Sequence, residues 1–194
     1  MPVIKIIVGS VRPTRFGPQP AKWLFDIAKQ RKDAQFDLVD LKELGLPFLD
    51  EPLTPSSGKY EKEYTRKWAT IVDSADGFVF VTPEYNHSYA PALKNAIDYV
   101  YNEWNYKAAA FVSYGGGAGG LRATEHLRAV AAELKLFQIR DTVNLLNYWN
   151  NLDEKGSFKF TEEHAAAAKT LLDDLVFWSE RLKAPRAEFA ARKK

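Results

Sequence analysis

No cysteine occurs among the 194 residues, and the only methionine is Met1. Disulfides, a catalytic thiolate, a cysteine-based zinc site and an iron–sulfur cluster are thereby excluded. Histidine is sparse, and His87, His126 and His164 have no metal-ligand spacing. Surface or capping roles are expected for them. No run of 18 apolar residues exists, so no membrane-spanning segment is expected. Met1-Pro2-Val3-Ile4-Lys5 has neither the charged start nor the apolar stretch of a signal peptide. The patterns G-x-x-x-x-G-K-[ST] and G-x-S-x-G are both missing, which argues against a Walker A nucleotide site and weakens a serine hydrolase. Neither sign of charge dominates. The 27 basic and 25 acidic residues leave +2, of which Lys183–Lys194 carries +4 (five basic residues, one acidic), leaving −2 for residues 1–182. The tail, about 184–194, reads as a solvated end, and no nucleic-acid partner is expected.

What is present fits one domain over residues 1–194, cytoplasmic and free of the membrane. At 46% hydrophobic residues the chain can bury a core without a staple. Any redox chemistry would need a borrowed cofactor. Residues 3–8 (Val-Ile-Lys-Ile-Ile-Val) read as a buried strand stopped at Gly9-Ser10. After Pro18, apolar residues at 21, 24, 25 and 28 share one helix face. A second strand is expected at 36–41, a long loop at about 45–59, and a helix from Tyr60 to Ala75. Further strands are expected at 77–82, at 107–113 and within 136–146. Helices are expected after Pro91, around Leu121–Leu134 and after Thr161. Five short apolar strands alternating with helices predict a mostly parallel sheet covered on both faces. In the strand order 2-1-3-4-5, the loops after strands 1, 3 and 4 converge at the switch point where ligands sit.

Those three loops are also the most unusual segments. Gly9-Ser10-Val11-Arg12-Pro13-Thr14-Arg15-Phe16-Gly17 offers hydroxyls, guanidiniums and free N–H groups at a helix start, a combination suited to a phosphate. Turn and cap residues with a solvated arginine pair would read the same way. Thr82-Pro83-Glu84-Tyr85-Asn86-His87-Ser88-Tyr89 can present backbone groups to a heteroaromatic edge and a tyrosine to its face. Taken alone it reads better as a turn with a helix cap. Ser113-Tyr114-Gly115-Gly116-Gly117-Ala118-Gly119-Gly120 contains a formal G-x-G-x-x-G. It follows the fourth strand rather than the first, and Asp141 lies inside the fifth strand, so the dinucleotide fingerprint does not fit. A backbone that approaches a planar ligand closely, or a flexible loop, explains the glycines better.

Together, Gly9-Ser10-Val11-Arg12 with Arg15, Pro83-Glu84-Tyr85-Asn86 leading into Ala90-Pro91-Ala92-Leu93-Lys94-Asn95-Ala96-Ile97-Asp98, and Ser113-Tyr114-Gly115-Gly116 resemble the NADPH-dependent FMN reductase family of flavodoxin-like quinone, azo-dye and chromate reductases. The resemblance covers about residues 3–145. It implies a flavodoxin-like three-layer sandwich, with a five-stranded parallel sheet in the order 2-1-3-4-5. By the same resemblance, Ser10, Arg12, Arg15, Phe16 and Gly17 would hold the FMN phosphate. Pro83, Glu84, Tyr85 and Asn86 would line the ring edge, with His87 beside them where relatives often carry an aromatic residue. Ser113, Tyr114, Gly115 and Gly116 would close over the ring. The implied activity is ping-pong hydride transfer from NADPH or NADH through flavin N5 to quinones, azo compounds or free flavin, with no catalytic side chain and no metal. The family is homodimeric or homotetrameric, and the helix after Pro91 is the implied contact. A flavodoxin-type electron carrier, a flavin-based redox sensor acting on a protein partner, and a nucleotide-binding protein without redox chemistry are the alternatives. Carriers are usually strongly acidic, which a net charge of +2 does not favour.

Overall fold

A computed structural model describes residues 1–192. Its strands are β1 (Val3–Val8), β2 (Gln35–Asp40), β3 (Gly77–Pro83), β4 (Ala108–Gly115) and β5 (Phe137–Leu146). Its helices are α1 (Pro18–Ala28), α2 (Leu41–Leu44), α3 (Glu63–Asp73), α4 (Pro91–Asp98), α5 (Leu121–Glu133), α6 (Glu162–Arg181) and α7 (Lys183–Arg192). Short 3-10 turns lie at Pro55–Ser57, Asn102–Trp104 and Tyr148–Asn151.

The five strands form one parallel sheet in the order β2-β1-β3-β4-β5. All residues of β3 and β4 are buried, as expected for central strands covered on both faces. Side-chain alternation splits the core into two layers. Ile4, Ile6, Val8, Val79 and Val81 pack with α1 and α6 through Ala21, Leu24, Leu171 and Leu175. Ile7, Phe78, Phe80 and Phe111 pack with α3, α4 and α5 through Trp68, Val72, Leu93, Ile97 and Leu127. Trp104 is fully buried and meets Phe78 edge-on at 4.7 Å, so it is a core residue.

The helix boundaries follow local chemistry. Pro18 opens α1 and Pro91 opens α4, where the missing N–H costs nothing. The Thr161 hydroxyl accepts from the His164 N–H, and His164 Nδ1 accepts from the Thr161 N–H at 3.1 Å. His164 is therefore a capping residue of α6.

The tail departs from the solvated end expected of it. Residues 183–192 form α7, seated against the body by Lys183 and Arg186 pairing with Asp76 and by Phe189 stacking on Tyr106 at 4.4 Å. Residues 193 and 194 lie outside the described residues.

Candidate functional site

The carboxyl ends of β1, β3 and β4 meet at the switch point of the sheet. A cleft of about 310 Å³ opens there, lined by Arg12, Arg15, Phe16, Pro83, Glu84, Tyr85, Tyr114, Gly115 and Gly116, together with Tyr148 and Trp149. That volume lies at the small end of ligand sites, roughly 300–1,000 Å³.

The loop after β1 supplies donors. Gly9 turns it: its N–H bonds Val81 O at 2.9 Å, and a Cβ there would lie 3.0 Å from that same oxygen. Among the described residues, the N–H groups of Val11, Arg12, Thr14 and Phe16 have no intramolecular acceptor. They stand at the start of α1, where the helix dipole favours an anion. The two arginines differ. Arg12 is exposed, with one long contact of 3.4 Å to Thr14 Oγ1. Arg15 is committed, because Nη1 donates to Ser10 O at 3.0 Å and Nη2 to Asp40 Oδ2 at 2.5 Å. Its charge is offset by Asp40, so it fixes the loop's shape while facing the cleft. Gly17 leaves room for Tyr114, whose hydroxyl would lie 2.8 Å from any Cβ there.

The loop after β3 supplies a wall. Tyr85 Oη and Ser10 Oγ are 2.9 Å apart, which ties this loop to the one after β1. Tyr85 and Ser88 exchange backbone bonds of 2.7 and 3.0 Å around Asn86 and His87, whose φ values are 49° and 68°. Paired positive φ values suit a tight I′-like turn. Asn86 and His87 are thus exposed at the tip and do not line the cleft. Glu84 lines it but accepts from Arg122 Nη1 at 2.8 Å and from Arg122 N at 3.2 Å. This carboxylate anchors the first turn of α5, a favourable place for negative charge.

The loop after β4 brings backbone close. Gly115 and Gly116 line the cleft, and a Cβ on Gly115 would lie 3.2 Å from Glu84 Cβ. Ser113 is fully buried beneath: it donates to Gly119 O at 2.8 Å and accepts from Asn144 Nδ2 at 2.7 Å. It supports the loop and has no reach into the cleft. Burial raises the Tyr114 hydroxyl far above its ordinary value, so it stays protonated.

Nine of the fourteen expected residues therefore line the cleft. Ser10, Gly17 and Ser113 shape it from below or behind, and Asn86 and His87 stand apart at the turn tip. Tyr148 and Trp149 complete it without having been expected. The only signal for them in the sequence is their place just after the fifth strand, at the same edge of the sheet.

The donor set fits FMN. Unpaired N–H groups and Arg12 suit the phosphate, while glycine backbone and tyrosine rings suit a planar heterocycle.

A family model described as NADPH-dependent FMN reductase matches residues 2–150. An NAD(P)H-dependent FMN reductase of Schizosaccharomyces pombe is 44% identical over 137 residues, 70% of this chain and 68% of that protein. An NAD(P)H:quinone oxidoreductase of Solanum tuberosum is 36% identical over 152 residues, 75% of this chain and 76% of that protein. Among solved structures, the flavoenzyme NAD(P)H:(acceptor) oxidoreductase FerB of Paracoccus denitrificans superposes with a TM-score of 0.72 at 24% identity, over 93% of this chain and 98% of FerB. That likeness bears on the fold alone.

Proposed function

The chain belongs to the NADPH-dependent FMN reductase family and is an oxidoreductase that uses FMN and NAD(P)H, and on that premise we propose that the cleft over β1, β3 and β4 holds the FMN and also admits the nicotinamide and the acceptor in turn. The observation that carries this reading is the set of unpaired N–H groups of Val11, Arg12, Thr14 and Phe16 beside the exposed Arg12 side chain. A dianionic phosphate is the group such a loop suits best.

Bound FMN would supply two-electron chemistry, in ping-pong order between NAD(P)H and an acceptor such as a quinone. The residues of the chain bind and orient. Arg12 and the loop N–H groups hold the phosphate. Arg15, clamped by Asp40 and Ser10 O, keeps that loop in shape. Tyr85, tied to Ser10, and the Gly115–Gly116 backbone border the ring. Tyr114 stays neutral and donates or packs without titrating. Among the residues lining the cleft, none is arranged as a general acid or base: Glu84 is occupied by Arg122, and the remaining carboxylates lie elsewhere.

A homodimer or homotetramer belongs to the same proposal. Phe48 is 86% exposed. Beside it, a groove of about 840 Å³ runs between α4 and α5, lined by Leu49, Ile97, Tyr101, Val130 and Leu134. Among the described residues no helix is long and apolar enough to cross a membrane. A cytoplasmic location is proposed from the dependence on NAD(P)H.

Anaerobic stopped-flow mixing of the FMN-loaded protein with NADPH and with NADH tests the reading. Rapid bleaching of the flavin band, followed by reoxidation with a quinone, is expected. Retention of flavin without reduction on the turnover timescale would instead support an electron carrier.

A further inference from the structure

The turn after β5 has no part in the phosphate loop or in the ring-edge segments, yet it supplies two of the cleft's aromatic side chains. We infer that Trp149 is the residue that selects planar aromatic electron acceptors, through the face its indole offers at the mouth of the cleft. The inference rests on the reading of the cleft as an FMN and acceptor site.

The geometry begins at Asn147. Its φ of 41° and ψ of 47° are left-handed, a conformation that costs a non-glycine residue free energy and persists only where the surroundings enforce it. Its N–H donates to Gly116 O at 3.1 Å, the same carbonyl that accepts from Gly119 N at 2.8 Å. The chain is therefore turned back over the glycine loop as β5 ends. Tyr148 then stacks on Phe16 at 4.2 Å and 21°, and meets Tyr114 edge-on at 5.5 Å. Phe16 and Tyr114 are buried and Tyr148 half-buried, so this cluster fixes the turn from one side. Trp149 follows at 5.3 Å and 69° from Tyr148, and its far edge lies 3.6 Å from where a Gly116 Cβ would stand.

The indole thus borders Tyr148 and the glycine loop, while the residue as a whole remains 51% exposed. Four other tryptophans occupy different settings: Trp68 and Trp104 are buried, Trp23 lies on Phe160, and Trp178 lies against Phe137. Trp149 is the one that borders the cleft. An indole with free area gains contact energy in proportion to the ring surface that covers it, and with only two side-chain torsions it loses little entropy in doing so. A two-ring quinone covers more of it than a one-ring quinone, and a compact inorganic oxidant covers almost none. The turn after β5 thereby favours flat, extended acceptors without touching the electron-transfer chemistry.

Calorimetric titration of the oxidised FMN-loaded protein with a naphthoquinone and with a one-ring benzoquinone reads this binding without turnover. Trp149→Ala is expected to weaken naphthoquinone binding by about five- to tenfold and benzoquinone binding by less, with Trp149→Phe recovering most of the loss. In steady state, KM for naphthoquinone should rise more than KM for ferricyanide. Unchanged naphthoquinone affinity in Trp149→Ala would overturn the inference. So would equal losses for the naphthoquinone, the benzoquinone and ferricyanide. If the wild-type protein turns over quinone while Trp149→Ala binds it normally, only the role of Trp149 falls. If the wild-type protein neither holds flavin nor bleaches with NADPH, the reading of the whole cleft falls with it.

Discussion

At the amino edge of the sheet, Asp76 is ringed by donors from its own chain: the Val3 N–H at 2.9 Å, the Arg186 guanidinium, and Lys183 Nζ at 3.5 Å. At the carboxyl edge, the loop after β1 leaves a row of N–H groups unpaired and one arginine exposed, with no carboxylate beside it. Lys107, 2% exposed at the amino edge, donates to the α3 carbonyls Val72 O and Asp73 O at 2.8 and 2.9 Å. Burial pushes its pKa down to about 8. A strongly shifted lysine in a cleft is an ordinary marker of a catalytic centre, yet this one stands at the end of the sheet that binds nothing in the proposed mechanism. Here the shift records a lysine used as structural filling. The edge proposed to bind FMN is marked by unsatisfied donors and glycine, features that titration does not report.

The largest way to break this comparison is Asp76→Ala. It would strand Arg186 and the Val3 N–H, and remove what seats α7. A loss of about 3 kcal/mol in denaturant unfolding is expected, since breaking a mostly buried pair leaves uncompensated charge. Trypsin should then cut within α7 early, while the affinity of the folded protein for FMN stays as in the wild type. An equal collapse of FMN affinity would show that the two edges are not independent.

Lys107 gives the next effect, a stability that rises with pH. The folded-state pKa of about 8 lies below the 10.5 of an unfolded lysine, so between those values the unfolded chain binds more protons and stability rises with pH. Lys107→Met removes that rise. Wild type should gain on the variant by about 2 kcal/mol between pH 8 and about pH 10. Tyrosines with raised values, such as Tyr89 at about 12, act alike in both proteins and cancel in the difference. Parallel stability curves over that range would mean that Lys107 is not desolvated.

Much of the carboxyl edge is legible in the sequence, because strand periodicity, Pro18 and Pro91 fix the βα order, and that order fixes which loops converge. Residue type alone fails where a partner lies far along the chain. Glu84 and Ser113 look like ligand-facing groups, but Arg122 and Asn144 claim them from 38 and 31 residues away. The tail looks solvated because Asp76, 110 residues from Arg186, gives no local sign of holding it. Tyr148 and Trp149 escape because a non-glycine left-handed residue, Asn147, turns the chain back, and no sequence pattern announces such a turn.

Arg12 and Arg15 sharpen the same contrast within one loop. Both are arginines at the cleft, but only Arg15 is spent on the fold, its guanidinium and the Asp40 carboxylate being 12% and 14% exposed. Arg12→Ala should raise the FMN dissociation constant about tenfold, the loss of a charge-assisted contact, while the flavin-free protein keeps its stability to within about 0.5 kcal/mol. Added salt should weaken FMN binding more in wild type than in that variant, because an exposed charge is screened. Arg15→Ala should lower both affinity and stability, since Asp40 and Ser10 O lose their donor. Fluorescence titration and urea unfolding of the two variants separate the roles. Equal destabilisation by both would mean that Arg12, too, belongs to the fold, and that the phosphate is held by backbone N–H groups alone.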